Sequence, residues 1–305
     1  MLMIIDAHAH IYDILSGYGA RGEFRPLGQG KGIWSTGEVN QFFPPQYGDK
    51  GFLAETLLQL MDEGGIDHAI LLQGSNYGFH NHYAAETASK YPDRFTASIT
   101  IDPYAVYAKE IFQNFQKTFE IHILKFEMSK AWGLRGYHPE LMPDAPVMDP
   151  VLSMAEEADM TVVFDPGPVE DMAKETDAFL RLRDRFPKLN IVVAHCFFPK
   201  ADGKNELRLR LLGKLAQAGM YFDISNHLCL WHIDPLSQEA LNFLQGVRQA
   251  VGIENMVWGT DVPGVLRTTS YTDMVTAMKN CGLFSPDDVS RLMCDNAKQI
   301  YKLHL

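Results

Sequence analysis

The amino-acid sequence predicts a (β/α)8 barrel, an α/β fold, and two observations support this prediction. Short apolar or β-branched runs alternate with longer amphipathic runs along the 305 residues, as is typical of parallel strands joined by helical crossovers. The alternation gives eight strand–helix units, and closing eight parallel strands on themselves forms a barrel. The chain shows neither an internal repeat nor a linker, so we expect one domain over residues 1–305.

The predicted strands are short runs in which apolar and β-branched residues dominate. In chain order they cover 3–7, 67–73, 95–101, 121–127, 161–165, 190–195, 220–224 and 255–259. Amphipathic patterns between them predict helices over 52–63, 81–91, 104–119, 150–158, 173–186 and 206–218, with a further helix opening at Ser237. Gly64-Gly65 ends the first helix as a C-cap signal. Ser285 and Pro286 open the last helix as N-cap and first helical residue.

Two long segments interrupt this rhythm, one after the first predicted strand and one after the fourth. Residues 11–49 are rich in glycine, proline and aromatic residues, and residues 130–147 are similar. Loops after barrel strands lie on the catalytic face, and long loops usually have a function. We expect 11–49 to form a binding loop or partial lid. Trp34 and Trp132 are candidate pocket walls, although ordinary loop packing explains them equally well.

The composition excludes several classes of protein. Hydrophobic residues make up 46% and charged residues 21% of the chain, as in globular proteins. A net charge of −11 argues against nucleic acid and against anionic membranes, which both select basic surfaces. The partner we expect is a small-molecule substrate, which can itself be acidic where the charge of the pocket opposes the global sign. A homodimer is left open.

Four scattered cysteines favour a reducing compartment. None of them forms a C-x-x-C pair, and they are too few for a disulfide scaffold. The first apolar run contains Asp6 and has no basic segment before it, unlike a signal peptide. No apolar run has the length that crosses a bilayer. We therefore expect a cytoplasmic protein.

His8 and His10 are the first candidates for chemistry. They stand two apart at the end of the first predicted strand, so their side chains point to the same side. Two neutral imidazoles aimed at one point supply part of a zinc coordination shell. An isolated His-x-His is more often core packing, but barrel enzymes place their catalytic groups at this end of a strand.

Three further polar residues close apolar strands that would otherwise be core. Asp165 ends the fifth predicted strand, His195 ends the sixth, and Asp261 follows the eighth. The carboxyl ends of barrel strands meet at one face, so we expect these side chains to converge. A helix N-cap or turn residue is the alternative, and it competes for Asp165 because Pro166 follows.

Other candidates concern substrate binding. Lys125, near the end of the fourth strand, is placed to bind a substrate carboxylate or phosphate; a pair with Glu127, on the same face by period two, is an equal alternative. Arg267 is a candidate for an anionic group of the substrate, although most loop arginines have no such role. His227 and Trp231–His232 are expected after the seventh strand, as pocket or loop residues.

Six segments carry a resemblance to a known family. They read IIDAHAHIYD, MDEGGIDHAILL, KYPDRFTASITIDP, FPKLNIVVAHCFFP, MVWGTDVPGV and DNAKQIYKL. In this order and spacing the chain resembles the amidohydrolase-related branch of the amidohydrolase superfamily, a family of barrel enzymes. The resemblance implies that His8 and His10 are metal ligands, and that Asp261 binds the metal and acts as general base. It implies that His195 polarises the substrate or shuttles protons.

One position departs from the pattern of that family. A histidine usually ends the fifth strand, and this chain has Asp165 there. Aspartate can ligate zinc or manganese, so a site of His8, His10, Asp165 and Asp261 is expected. The implied cofactor is a divalent metal, zinc first and manganese second.

The resemblance implies a metal-dependent hydrolase that uses metal-activated water on a C–O or C–N bond of a small carboxylated or cyclic compound. Lys125, Arg267 and Trp34 are the expected substrate-binding residues. A non-oxidative decarboxylase, similar to aminocarboxymuconate-semialdehyde decarboxylase, is the main alternative. Related lactonases work without metal, which keeps a metal-independent lactonase open. A catalytically inactive binding barrel is disfavoured, because His8, His10, His195 and Asp261 are all present.

Overall fold

Eight parallel strands lie side by side in the order in which they occur along the chain. They are seen in a computed structural model that describes residues 2–200, 202–225 and 237–305. We number them barrel strands one to eight: Ile5–Ala9, His68–Leu71, Phe95–Thr100, Ile123–Glu127, Thr161–Asp165, Asn190–Ala194, Tyr221–Asp223 and Met256–Val257. Each overlaps its predicted run, and the boundaries differ by a few residues.

The first strand meets the end of the eighth, and this contact closes the barrel. The backbone N–H of Asp261 donates to the carbonyl of His8 at 2.7 Å, and that of His10 donates to Val262 at 2.9 Å. Ala9 and Val262 form a parallel bridge. The predicted (β/α)8 barrel is confirmed.

Alternate strand residues divide between two apolar layers, because successive side chains point to opposite faces. In barrel strand five, Val162 and Phe164 belong to the large core, whereas Val163 belongs to a smaller cluster inside the barrel. Tyr301, at the end of the last helix, joins this inner cluster. The polar residues at the carboxyl ends of the strands therefore stand on a packed apolar floor.

Helices lie between the strands, and each predicted helix overlaps an observed one. Their bounds are Ala54–Gly64, Asn81–Lys90, Ala108–Phe119, Asp149–Glu157, Met172–Arg185, Asn205–Gln217, Gln238–Val251, Tyr271–Asn280, Pro286–Ser290 and Asn296–Ile300. A π-helical turn over Arg291–Asp295 joins the last two. Ser285 forms a capping box with Asp288. Tyr271–Asn280 has no counterpart among the predicted helices. None of the helices in the described ranges combines the length and apolar character needed to span a bilayer.

The insertion after barrel strand one is more ordered than the predicted loop. It contains an antiparallel sheet of four strands, Gly17–Gly19, Gly22–Gly28, Lys31–Trp34 and Val39–Gln41, which we call the small sheet. Phe24 and Trp34 are buried on one of its faces, with ring centroids 4.6 Å apart. The insertion after barrel strand four contains the short 3₁₀ turns Leu134–Gly136 and Pro146–Met148.

Candidate active site

A cavity of about 440 Å³ opens at the carboxyl ends of the barrel strands. Its lining includes six polar residues from the strand ends: His10, Lys125, Glu127, Asp165, His195 and Asp261. Its upper wall includes Asn40, Gln41 and Phe42 at the end of the small sheet, with Trp132 from the second insertion. The position is that of a barrel active site.

Three potential metal ligands gather on one side of this cavity. The ligand atoms of His8, His10 and Asp261 all lie within 4.8 Å of one another. Asp261 Oδ1 lies 2.9 Å from His10 Nε2 and 3.7 Å from His8 Nε2. The convergence expected for these three residues is present.

Hydrogen bonds behind the two histidines fix how each ring is presented. His10 Nδ1 donates to the carbonyl oxygen of Leu72 at 2.5 Å, so its Nε2 keeps the lone pair that a metal needs. His8 Nδ1 makes a hydrogen bond with Asp223 Oδ2 at 2.5 Å, with the Ser225 hydroxyl at 3.1 Å. Burial, together with the Lys125 ammonium, lowers the pKa of both imidazoles and favours the neutral, metal-binding form.

Asp261 is held in a strained backbone conformation. Its φ of 64° lies in the left-handed region, which non-glycine residues seldom adopt. The hydrogen bond from its backbone N–H to the His8 carbonyl holds it there. Burial raises the pKa of the carboxyl, but the bond to His10 and the imidazoles of His195 and His8 outweigh burial and lower it to about 2.

His195 stands across the cavity at the end of barrel strand six. Its ring centroid lies 4.9 Å from that of His8. Nδ1 donates to the Ser225 carbonyl at 3.1 Å, and Nε2 lies 3.4 Å from Asp165 Oδ2. Burial opposes the imidazolium, but Asp165 and more distant carboxylates raise the pKa of His195 to about 9. His195 opens a run of four residues with positive φ, which ends at Phe198; such strain is common at functional sites.

Asp165 and Lys125 lie on the same side as His195. In the described parts of the chain, the cluster of potential ligands consists of His8, His10 and Asp261, without Asp165. Asp165 Oδ1 accepts from the Gly167 N–H at 3.0 Å, and Oδ2 faces His195. Lys125 is 1% exposed, and its Nζ lies 3.0 Å from His8 Nε2 and 3.9 Å from Asp165 Oδ2.

A comparison of the sequence with protein-family models identifies the family of the chain. The model described as Amidohydrolase matches residues 5–303, nearly the whole chain. The chain belongs to the amidohydrolase family. The resemblance in the sequence is thereby confirmed, and the eight-stranded barrel is the fold of this family.

Solved structures share the fold of this amidohydrolase at low sequence identity. A probable 2-pyrone-4,6-dicarboxylic acid hydrolase from Acinetobacter baumannii, with citric acid bound, aligns with a TM-score of 0.70 and 16% identity over 99% of this chain and 100% of that one. A zinc-bound amidohydrolase from Burkholderia multivorans gives 0.71 and 16% over 99% of both chains. 2,6-Dihydroxybenzoate decarboxylase from Rhizobium gives 0.59 and 17% over 82% and 88%. A search of curated proteins finds no significant match.

The predicted substrate-binding residues of the amidohydrolase occupy different places. Lys125 and Arg267 line the cavity. Arg267 donates from Nη1 to the Gln41 carbonyl at 3.2 Å and so ties the small sheet to the barrel. Trp34 is 1% exposed and lies behind the cavity wall, where its Nε1 donates at 2.7 Å to Oδ1 of Asn40, a residue of the lining. Trp132 lines the cavity instead. His227, Trp231 and His232 lie outside the described residues.

Two residues that support the site were missed in the sequence. Asp223 and Ser225 are fully buried at the end of barrel strand seven and contact His8. The Ser225 backbone N–H donates to Asp223 Oδ1 at 2.6 Å, which orients the carboxylate toward the histidine. The available signal was a carboxylate inside the apolar run MYFDI, the same signal that identified Asp165.

Proposed function

We propose that this amidohydrolase is a hydrolase that holds a divalent cation with His8, His10 and Asp261. The observation that carries the proposal is the convergence of the three ligand atoms within 4.8 Å. The donor set fits a zinc-like ion, because two imidazoles present Nε2 while their Nδ1 atoms are bonded behind. Zinc is the first choice and manganese the second.

The chemistry divides between two groups of the chain. When bound, a divalent cation lowers the pKa of a bound water molecule to roughly 7. Asp261 faces the same point as both histidines, so its carboxylate can accept the proton of the attacking water and return it to the leaving group. His195 stands on the opposite side, where the Asp165 carboxylate favours its protonated form. Its Nε2–H can donate to the substrate carbonyl oxygen on which negative charge develops.

The expected substrate is a small carboxylated or cyclic compound with a hydrolysable C–O or C–N bond. The cavity of about 440 Å³ limits its size. Lys125 and Arg267 offer positive charge to a carboxylate, while Phe42 and Trp132 offer apolar walls. A lactone that carries an acidic group combines these features.

Purified protein, metal-depleted and then reloaded with zinc or manganese, should be tested on lactones, cyclic amides and aromatic acids. Ring opening is measured by the release of protons, and decarboxylation is measured by the release of carbon dioxide. We expect ring-opening activity that is lost when a chelator removes the metal and that returns when the metal is added back. Carbon dioxide release without ring opening would replace the hydrolase by a decarboxylase.

One contact favours a second candidate, a metal-independent lactonase. The Lys125 ammonium donates to His8 Nε2 at 3.0 Å, on the atom that would bind the cation. Two unit charges 4 Å apart repel by about 4 kcal/mol at an effective dielectric constant of 20. The lysine must therefore move away from His8 Nε2 when a divalent ion binds there. Ring opening at full rate in metal-depleted protein would establish this second candidate.

A further inference from the structure

Asp6 connects the two segments that carry the proposed ligands. Its carboxylate is fully buried. Oδ1 accepts from the backbone N–H of His8 at 3.1 Å and of Thr260 at 2.9 Å. Oδ2 accepts from the hydroxyl of Thr260 at 2.6 Å and of Tyr271 at 2.8 Å. Because Thr260 precedes Asp261, one carboxylate holds the histidine segment and the aspartate segment together.

This connection lies at the junction that closes the barrel. Barrel strand eight comprises Met256–Val257 alone. Beyond it, backbone hydrogen bonds hold the following segment to strand one, including those from Asp261 to His8 and from His10 to Val262. Gly259 lets the two segments touch, because a Cβ there would stand 2.7 Å from His8 Cβ and 3.2 Å from Asp6 Oδ1. The distance between the histidines and Asp261 therefore depends on hydrogen bonds of side chains as well as on the backbone hydrogen bonds between the two segments.

We infer that Asp6, bonded to Thr260 and Tyr271, is a positioning residue that sets the spacing between the His8–His10 pair and Asp261. The inference rests on the proposed metal site. Tyr271 is the first residue of the helix Tyr271–Asn280, so its hydroxyl connects this helix to Asp6 and, through Asp6, to the segments of the proposed ligands. Metal affinity should therefore respond to substitutions that touch no ligand.

The test measures zinc affinity by chelator competition, together with the visible absorption spectrum of the cobalt-loaded protein, which reports ligand geometry. Loss of an outer-shell partner typically weakens metal binding by about 10- to 100-fold. We expect Tyr271→Phe near the lower end of that range, and Asp6→Asn near the upper end. Thr260→Ser keeps the hydroxyl and should bind as the parent does, whereas Thr260→Val should bind more weakly.

Thr161→Val is the matched control. Its hydroxyl donates to the Ile300 carbonyl at 2.6 Å and connects a barrel strand to the C-terminal helix. We expect Thr161→Val to lower Tm about as Tyr271→Phe does, while zinc affinity and the cobalt spectrum stay those of the parent. If Tyr271→Phe and Thr260→Val lose stability with unchanged zinc affinity and spectrum, Asp6 has only a structural role and the inference fails.

Two other outcomes are distinguishable. If Asp6→Asn does not fold, Tyr271→Phe and Thr260→Val decide the question. If the parent protein binds none of zinc, manganese and cobalt, the proposed metal site is refuted, and the inference is overturned with it.

Discussion

The two sides of the cavity floor differ in the lengths of the contacts between their own polar side chains and the groups that hold them. On the ligand side, formed by His8, His10 and Asp261, bonds behind the histidine rings measure 2.5 Å and the bond between His10 and Asp261 measures 2.9 Å. On the opposite side, which we call the donor side, His195 lies 3.4 Å and Lys125 lies 3.9 Å from Asp165.

The difference indicates two roles. Short bonds to buried partners fix the ligand side before anything binds, which is what a metal site requires. Longer contacts on the donor side are typical of catalytic groups whose hydrogen bonds tighten when substrate is bound. Substitutions on the ligand side should therefore affect the metal, and those on the donor side should affect turnover.

The largest effect is expected from Asp261→Asn on the ligand side. The amide cannot accept a proton from water and is a poor ligand, so kcat should fall by at least about 10³-fold. Thermal unfolding should remain cooperative, because the side chain is not part of the apolar core. His8→Ala should likewise abolish activity without loss of cooperative unfolding.

Asp287→Asn is the control for Asp261→Asn and His8→Ala. Asp287 is exposed, so this substitution should leave kcat unchanged. Full turnover by either site variant would refute the role given to that residue.

Lys125→Met alters both sides of the floor, because Lys125 reaches from the donor side to the ligand side. Removing the ammonium abolishes its repulsion of a bound cation, which is about 4 kcal/mol per unit charge at 4 Å with an effective dielectric constant of 20. We expect zinc affinity to rise by at least about tenfold, since relaxation absorbs part of this energy. Chelator competition measures the change. Unaltered zinc affinity, together with lost metal-free activity, would favour the metal-independent lactonase.

The barrel and the convergence of His8, His10 and Asp261 could be predicted because each rests on local patterns. Strand–helix alternation gave the fold, and the two-residue spacing of His8 and His10 gave the pair. The small sheet could not be predicted, because it pairs strands of three to seven residues with little apolar alternation. Asp165 was expected with the ligands; its strand-end position was evident, but the sequence does not show which neighbour its carboxylate faces.

Trp34→Phe tests whether the small sheet supports the cavity from behind. The change removes the bond to Asn40 and part of a buried ring, which should cost about 2 kcal/mol of unfolding free energy. Asn40 lines the cavity, so KM should rise while kcat is retained. Steady-state kinetics and denaturant unfolding measure both effects. A fall in kcat with constant KM would contradict the supporting role.

The smallest effect is expected from Asp202→Asn, which loosens the backbone behind the donor side. Arg208 donates to both oxygens of Asp202 at 2.7 Å and to the carbonyl of Phe197, within the strained run that His195 opens. The hydrogen bonds from Arg208 hold the pKa of Asp202 well below its usual range. The side chain is 32% exposed, so at pH 7 we expect a loss of about 1 kcal/mol.

The sign of the pH dependence follows from linkage. A carboxyl with a depressed pKa contributes stability above its unfolded value of about 3.9, and this contribution is lost as the pH falls toward the folded value. The difference in stability between the parent and Asp202→Asn should therefore be largest at pH 7 and shrink below pH of about 4. Urea unfolding of both proteins at pH 7 and below pH of about 4 measures this difference. A difference that stays constant or grows in acid would show that the ion pair does not hold the run that begins at His195.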